Sequence, residues 1–185
     1  FISFERSRPQ AREIILLAVL TALAVAGRAA FFMVPGFKPT AAIVMIAGLS
    51  FGPQAGFLTG AMSGFVSNFL FGQGPWTTWQ MCAFGLLGFF AGLSAPLFQK
   101  TAFAVFGAFL TFFVYGGVVD LWTIFGFYKE PSLAAALTVY SAALPFNLVH
   151  AVSTAIFLYF LAVPMTEKLQ RVQNKYGLHF AHRKR

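Results

Sequence analysis

Charge is scarce in this chain and negative charge scarcer still, with five Asp and Glu against thirteen Lys and Arg and only 10% of the 185 residues charged. An average soluble domain carries about 25% charged residues. With so few acids, the acid and base pairs that catalysis needs are not in view. A single cysteine, Cys82, rules out an intramolecular disulfide or a cysteine-based metal site, and its apolar surroundings give it a packing role. The chain has no G-x-x-x-x-G-K-S/T loop, so it does not bind nucleotide in the P-loop manner by itself. It has neither H-E-x-x-H nor G-x-S-x-G, and His150, His179 and His182 are not spaced with carboxylates as a metal site requires. Internal repeats are missing too, and the second half does not mirror the first as in many secondary transporters.

What the chain has in abundance is apolar surface: 58% hydrophobic residues, 25 Phe and 17 Gly. That composition is the mark of an integral membrane protein whose helices pack backbone to backbone in lipid. The formal charge of +8 sits at the two ends. Arg6, Arg8 and Arg12 precede the first apolar run; Lys168, Arg171, Lys175, Arg183, Lys184 and Arg185 follow the last. This is the positive-inside arrangement and predicts both termini in the cytoplasm, hence an even number of spans. Anionic lipid headgroups account for the basic ends, and no nucleic-acid partner is expected. The first apolar run carries on into further structure, so a cleaved signal peptide is not expected.

The predicted fold class is all-α: a six-transmembrane-helix bundle in one domain over 1–185, with a cytoplasmic segment over 1–11 and a basic cytoplasmic tail over 166–185. The first span runs from about Arg12 to Phe32, with Ala18, Ala22 and Ala26 four apart on one face. Small residues at that spacing serve either packing within the bundle or close approach of another helix. Pro35, Gly36 and Pro39 break the chain before a short second span, Thr40 to Phe51. The third, Gln54 to Phe71, carries Gly56, Gly60 and Gly64 at four-residue spacing; the fourth ends near Pro96. The fifth runs from Thr101 to Phe127, and the last from Ser132 to Val163 with Pro145 inside it.

Polar groups in such segments are costly unless they meet a partner or a cavity, so they are the candidate site. Arg28, Lys38, Asn68, Gln73, Trp76, Trp79 and Gln80 fall between the first and fourth spans. Tyr115, Asp120 and Trp122 lie in the outer half of the fifth, and Asn147 and His150 share one face of the sixth. Asp120 is the only acid inside a predicted span, and Arg28 or Lys38 is its expected partner. With six spans all these residues gather at one external face, where they are expected to line a ligand pocket. Packing roles, an aromatic belt for the tryptophans and a structural ion pair for Asp120 are the alternatives.

The run FKPTAAIVMIAGLSFGPQAGFLTGAMSGFVSNFLFGQGPWTTWQM, with the six-span layout and the Ala18-x-x-x-Ala22 face, resembles the substrate-binding (S) component of energy-coupling factor (ECF) transporters. The resemblance is greatest to the cobalamin-specific members. It implies a bacterial plasma-membrane subunit that captures a vitamin from outside, here cobalamin or its precursor cobinamide. Its expected partners are a transmembrane coupling subunit (T component), reached through Ala18, Ala22 and Ala26, and two cytoplasmic ATPases. No cofactor would be permanently bound, and the chain itself would not be an enzyme. An S component for a queuosine precursor, pantothenate or folate is an alternative, as is a structural or assembly subunit of the membrane.

Overall fold

A computed structural model describes residues 11–95 and 99–178. The expectations for Arg6, Arg8, Pro96 and the basic residues after 178 lie outside these segments. Among the described residues the chain forms six helices and no strand. They are α1 (Ala11–Ala30), α2 (Thr40–Phe51), α3 (Pro53–Phe71), α4 (Trp76–Leu93), α5 (Lys100–Phe127) and α6 (Leu133–Tyr176).

The short helix α2 is the centre of the bundle. It is apolar all round and buried along its whole length except at Ser50, which is how a helix reads when protein surrounds it on every side. It packs against α1, α3, α4 and α6. Its first turn is pinned to α1 by the Thr40 hydroxyl, which donates to the Ala24 carbonyl at 3.3 Å. Gly52 alone joins α2 to α3, at φ +93°, a backbone conformation that side-chain-bearing residues resist.

The glycine spacing foreseen on α3 finds its partner in α4. A Cβ at Gly56 or Gly60 would overlap the backbone of Gly88 or Phe84, and one at Gly88 or Gly92 would overlap Gly56 or Pro53. Gly48 of α2 meets Gly88 in the same way. Three helices therefore touch main chain to main chain, the arrangement small residues permit where burial from water gives no drive.

Helix α5 is continuous but contains a π-helical segment, Thr111–Gly116. A π turn takes in one extra residue and rotates the helix beyond it. Before it Phe103, Ala104, Gly107 and Leu110 face inward; within and after it the buried residues are Thr111, Tyr115, Gly116, Asp120 and Ile124.

Two expectations are corrected by the structure. The last helix does not end at Val163: it passes both Pro145 and Pro164 and runs 44 residues to Tyr176, about 66 Å at ~1.5 Å per residue. Buried Leu169, a 3.4 Å bond from Gln173 Nε2 to the Ser50 carbonyl and a left-handed Gly177 cap hold the extension against the C-terminal end of α2. These contacts outweigh the one backbone bond Pro164 removes. Cys82, in turn, is not packed inside but exposed on the outer surface of α4, where it has no core contact to supply.

Three helices, α1, α5 and α6, are long and apolar enough to cross a membrane; α2 is a shorter apolar helix. The outward surface carries Ile15, Val19, Leu23, Phe109, Phe113, Val152 and Phe160. Water penalises such a surface and lipid does not, and the chain is a membrane protein.

Candidate functional site

Two polar clusters form where the end of α1, the start of α2, the end of α3, the start of α4 and the mid-portions of α5 and α6 come together. The first is centred on Asn68, which is buried in α3. Its Oδ1 accepts from Arg28 Nη1 at 3.0 Å, and its Nδ2 donates to Thr77 Oγ1 at 3.0 Å and to Gln80 Oε1 at 2.9 Å. Thr77 Oγ1 donates to Gln73 Oε1 at 2.9 Å, and Gln73 Nε2 reaches the Phe65 carbonyl at 3.1 Å. Arg28 also donates to Ser67 Oγ and lies over the Phe71 ring at 4.9 Å. These bonds fasten α1, α3 and α4 together at one end.

In this cluster Asn68, Thr77 and Gln73 use their side-chain groups on one another. Arg28 does not: both of its bonds leave from Nη1, and its Nε and Nη2 donors have no acceptor among the described residues.

The second cluster lies between α5, α6 and the α1–α2 loop. The π segment turns Tyr115 inward, where its ring meets His150 edge-on with centroids 4.7 Å apart and Phe84 at 4.6 Å. Both nitrogens of the buried His150 ring lack a hydrogen-bond partner among the described residues. Asn147 Nδ2 donates to Asp120 Oδ2 at 2.8 Å. The expectation that Arg28 or Lys38 would pair with Asp120 is thus corrected: the carboxylate meets an amide, because the α5 rotation aims it at Asn147 while Arg28 turns to α3.

The α1–α2 loop is strapped across this cluster. Ser153 Oγ accepts from the Lys38 N–H at 2.8 Å and donates to the Lys38 carbonyl at 3.1 Å. Phe31 and Phe37 both pack on Phe157, with centroids 5.4 and 5.2 Å away. This seats half-buried Lys38 by its backbone against Ser153, one turn along α6 from His150, with no acceptor for its ammonium among the described residues. Burial first, and the Arg28 charge second, hold the Lys38 ammonium below the ordinary lysine value.

Of the twelve residues singled out in the sequence, Arg28, Asn68, Gln73 and Gln80 meet in the first cluster and Lys38, Tyr115, Asp120, Asn147 and His150 in the second. The tryptophans stand at the edge. Trp79 stacks on Phe125 at 6.2 Å, Trp122 packs edge-on against Phe127, and Trp76 is exposed beside Gly74. Ser67, Thr77 and Ser153 were missed. Thr77 lies between Trp76 and Trp79, and Ser67 adjoins Asn68, so the signal was present as small hydroxyls in apolar helices.

On the far side of α1, Ala18, Ala22 and Ala26 are exposed together with Ile15, Val19 and Leu23. They do not pack within this bundle.

Residues 9–167 match a protein-family model described as "ECF-type riboflavin transporter, S component". A UPF0397 protein of Aliivibrio fischeri (strain MJ11) is 30% identical over 138 residues, covering 65% of this chain and 74% of that protein. A UPF0397 protein of Vibrio atlanticus (strain LGP32) is 33% identical over 95 residues, 49% of this chain and 51% of that protein. No solved structure matches.

Proposed function

The chain belongs to the ECF-type riboflavin transporter S-component family, and from that premise we propose that it captures a water-soluble vitamin or vitamin precursor for an energy-coupling factor importer. The role is binding and delivery, with ATP hydrolysis left to partner ATPases. In this reading all six helices cross a bacterial plasma membrane, both termini are cytoplasmic, and the two polar clusters face outside.

The observation that carries the proposal is His150: a buried imidazole with two nitrogens unmatched among the described residues, packed edge-on against Tyr115 and one turn before Ser153, which holds the Lys38 backbone. A buried polar group costs about 1–3 kcal/mol when it stays unmatched, and a bound molecule supplies the partners. Tyr115, His150 and, at the rim, Trp79 and Trp122 offer ring surfaces for a flat heterocycle. Asn68, Gln73, Gln80 and Thr77 form the frame that fixes Arg28; Asp120 and Asn147 give a second polar edge, and Trp76 stands at the mouth. The resemblance of the central run makes cobalamin or cobinamide one ligand to test. The family description makes riboflavin another. Cobalt enters here only as part of the transported ligand, and no resident cofactor is part of the proposal.

The T component would dock on the α1 face of Ala18, Ala22 and Ala26, whose small side chains are free for a second helix.

The test is equilibrium binding by the purified chain in detergent, against riboflavin, cobalamin, cobinamide, folate, pantothenate and queuosine precursors. Saturable binding of at least one is expected, with cellular uptake appearing only when the T component and ATPases are co-expressed. Binding of none of the six would overturn the proposal.

A further inference from the structure

We infer that the ligand meets the first cluster through hydrogen-bond acceptors, the oxygens of a ring carbonyl, amide or carboxylate, received by N–H groups of Arg28 and Gln80. The inference rests on the capture function proposed above and narrows it to the face that the captured molecule presents.

Arg28 sets the polarity of the whole network. A guanidinium only donates, so Asn68 turns its Oδ1 to Arg28 Nη1, 3.0 Å away. The Asn68 amide nitrogen is then left for its other neighbours, and it donates to Thr77 Oγ1 at 3.0 Å and to Gln80 Oε1 at 2.9 Å. Thr77 passes the same direction on to Gln73 Oε1, and Gln73 ends it at the Phe65 carbonyl. Ser67 accepts from Arg28 and donates to the Gly64 carbonyl. Every side-chain oxygen of the network therefore already accepts a hydrogen bond. The groups without a partner among the described residues are N–H donors: Nε and Nη2 of Arg28 and Nε2 of Gln80. Both residues are half-buried, and each is one hydrogen bond from the same Asn68 side chain. The Phe71 ring, 4.9 Å from the guanidinium, and the two bonds from Nη1 hold Arg28 in place. Its Nε and Nη2 then offer the parallel N–H pair that suits a carbonyl or carboxylate. Donors left unmatched away from water are costly. A molecule bringing oxygen lone pairs removes that cost, and one bringing N–H groups does not.

Gln80→Glu tests this directly, because it keeps an oxygen for Asn68 Nδ2 and replaces the free N–H with a second acceptor at nearly constant shape. The six molecules of the panel are titrated against it and against the unsubstituted chain in detergent, below both unfolding midpoints. For whichever binds, affinity is expected to fall about 10- to 100-fold, the effect of setting acceptor against acceptor, while the ligand-free midpoint stays where it was. Arg28→Lys is the second variant: it keeps a charge and a donor for Asn68 but lacks the planar fork, and the same fall is expected. Where Gln80→Glu does not fold, Arg28→Lys decides. Unchanged affinity in a folded variant would overturn the inference while leaving vitamin capture standing. So would a fall in affinity that comes only with a lowered midpoint in both variants, since Arg28 and Gln80 would then be frame alone. Binding of none of the six by the unsubstituted chain overturns capture itself. Lipid headgroups carry acceptor oxygens too, so the titrations are repeated in phosphatidylcholine nanodiscs. An effect of Gln80→Glu that disappears there assigns the donors to lipid and overturns the inference; one that persists supports a captured vitamin.

Discussion

Asn68 is exposed by 1% and each of its polar side-chain atoms is matched, whereas His150, at 3%, has two ring nitrogens with no partner among the described residues. The two are buried polar residues of opposite kinds. Asn68→Ala takes one partner each from Arg28 and Thr77, leaves Gln80 Oε1 without its bond, and is expected to cost about 2–3 kcal/mol. His150→Phe removes two unmatched atoms, keeps a ring against Tyr115 and is expected to change stability by no more than about 1 kcal/mol. Thermal unfolding in detergent reads both. The ligand responds in the reverse order, with His150→Phe losing affinity while the protein stays folded. If His150→Phe proves the less stable variant, the division between frame and ligand contact is wrong. Sequence alone does not make this division. It marks both residues as polar in an apolar run, but what each one touches depends on helices 12 to 35 residues away, as with Gln80 for Asn68 and Tyr115 for His150. The Asp120 expectation failed for the same reason. Charge complementarity pointed to Arg28 or Lys38, and a π turn invisible in the sequence delivered Asn147 instead.

At the scale of the element, small residues do two different jobs, and they can be told apart. Gly88 is pressed on both sides, by Gly48 of α2 and Gly56 of α3, with backbone rather than flexible side chain opposite. Gly88→Ala is therefore expected to separate these helices and destabilise the fold by at least the roughly 1–3 kcal/mol of overpacking, seen as a lower unfolding midpoint. Ala22 lies on the exposed face of α1. Ala22→Leu is expected to leave the midpoint and ligand binding unchanged and to weaken co-purification with the T component. An intact complex would remove that face from the proposal. Helix existence was legible because Gly and Pro punctuate long apolar runs, and α2 appeared at its observed bounds. Its central place was not legible, since a helix apolar on every side has no face to read. Nor was the extension of α6, because Pro164 argues for an end and only packing on α2 overrides it.

For the whole molecule, the charge distribution predicts an orientation for the six spans proposed above. Lys168, Arg171 and Lys175 lie on the far end of α6, past Pro164. The positive-inside rule predicts that end in the cytoplasm, and six crossings, as proposed above, would then set the Gln73 loop, Lys129 and the two polar clusters outside. Because Cys82 is the sole cysteine, Cys82→Ala gives a clean background for placing single reporters by Gln73→Cys, Lys129→Cys and Lys175→Cys. A maleimide that cannot cross the membrane is expected to label positions 73 and 129 in intact cells, and position 175 only after permeabilisation. Labelling of 175 from outside would turn the molecule over, placing the two polar clusters in the cytoplasm. Protection of 129 with labelling of 73 would mean that α5 or its neighbours do not cross. The sequence predicts the first pattern from where its lysines and arginines stand. That orientation would set both polar clusters on the side from which a nutrient arrives.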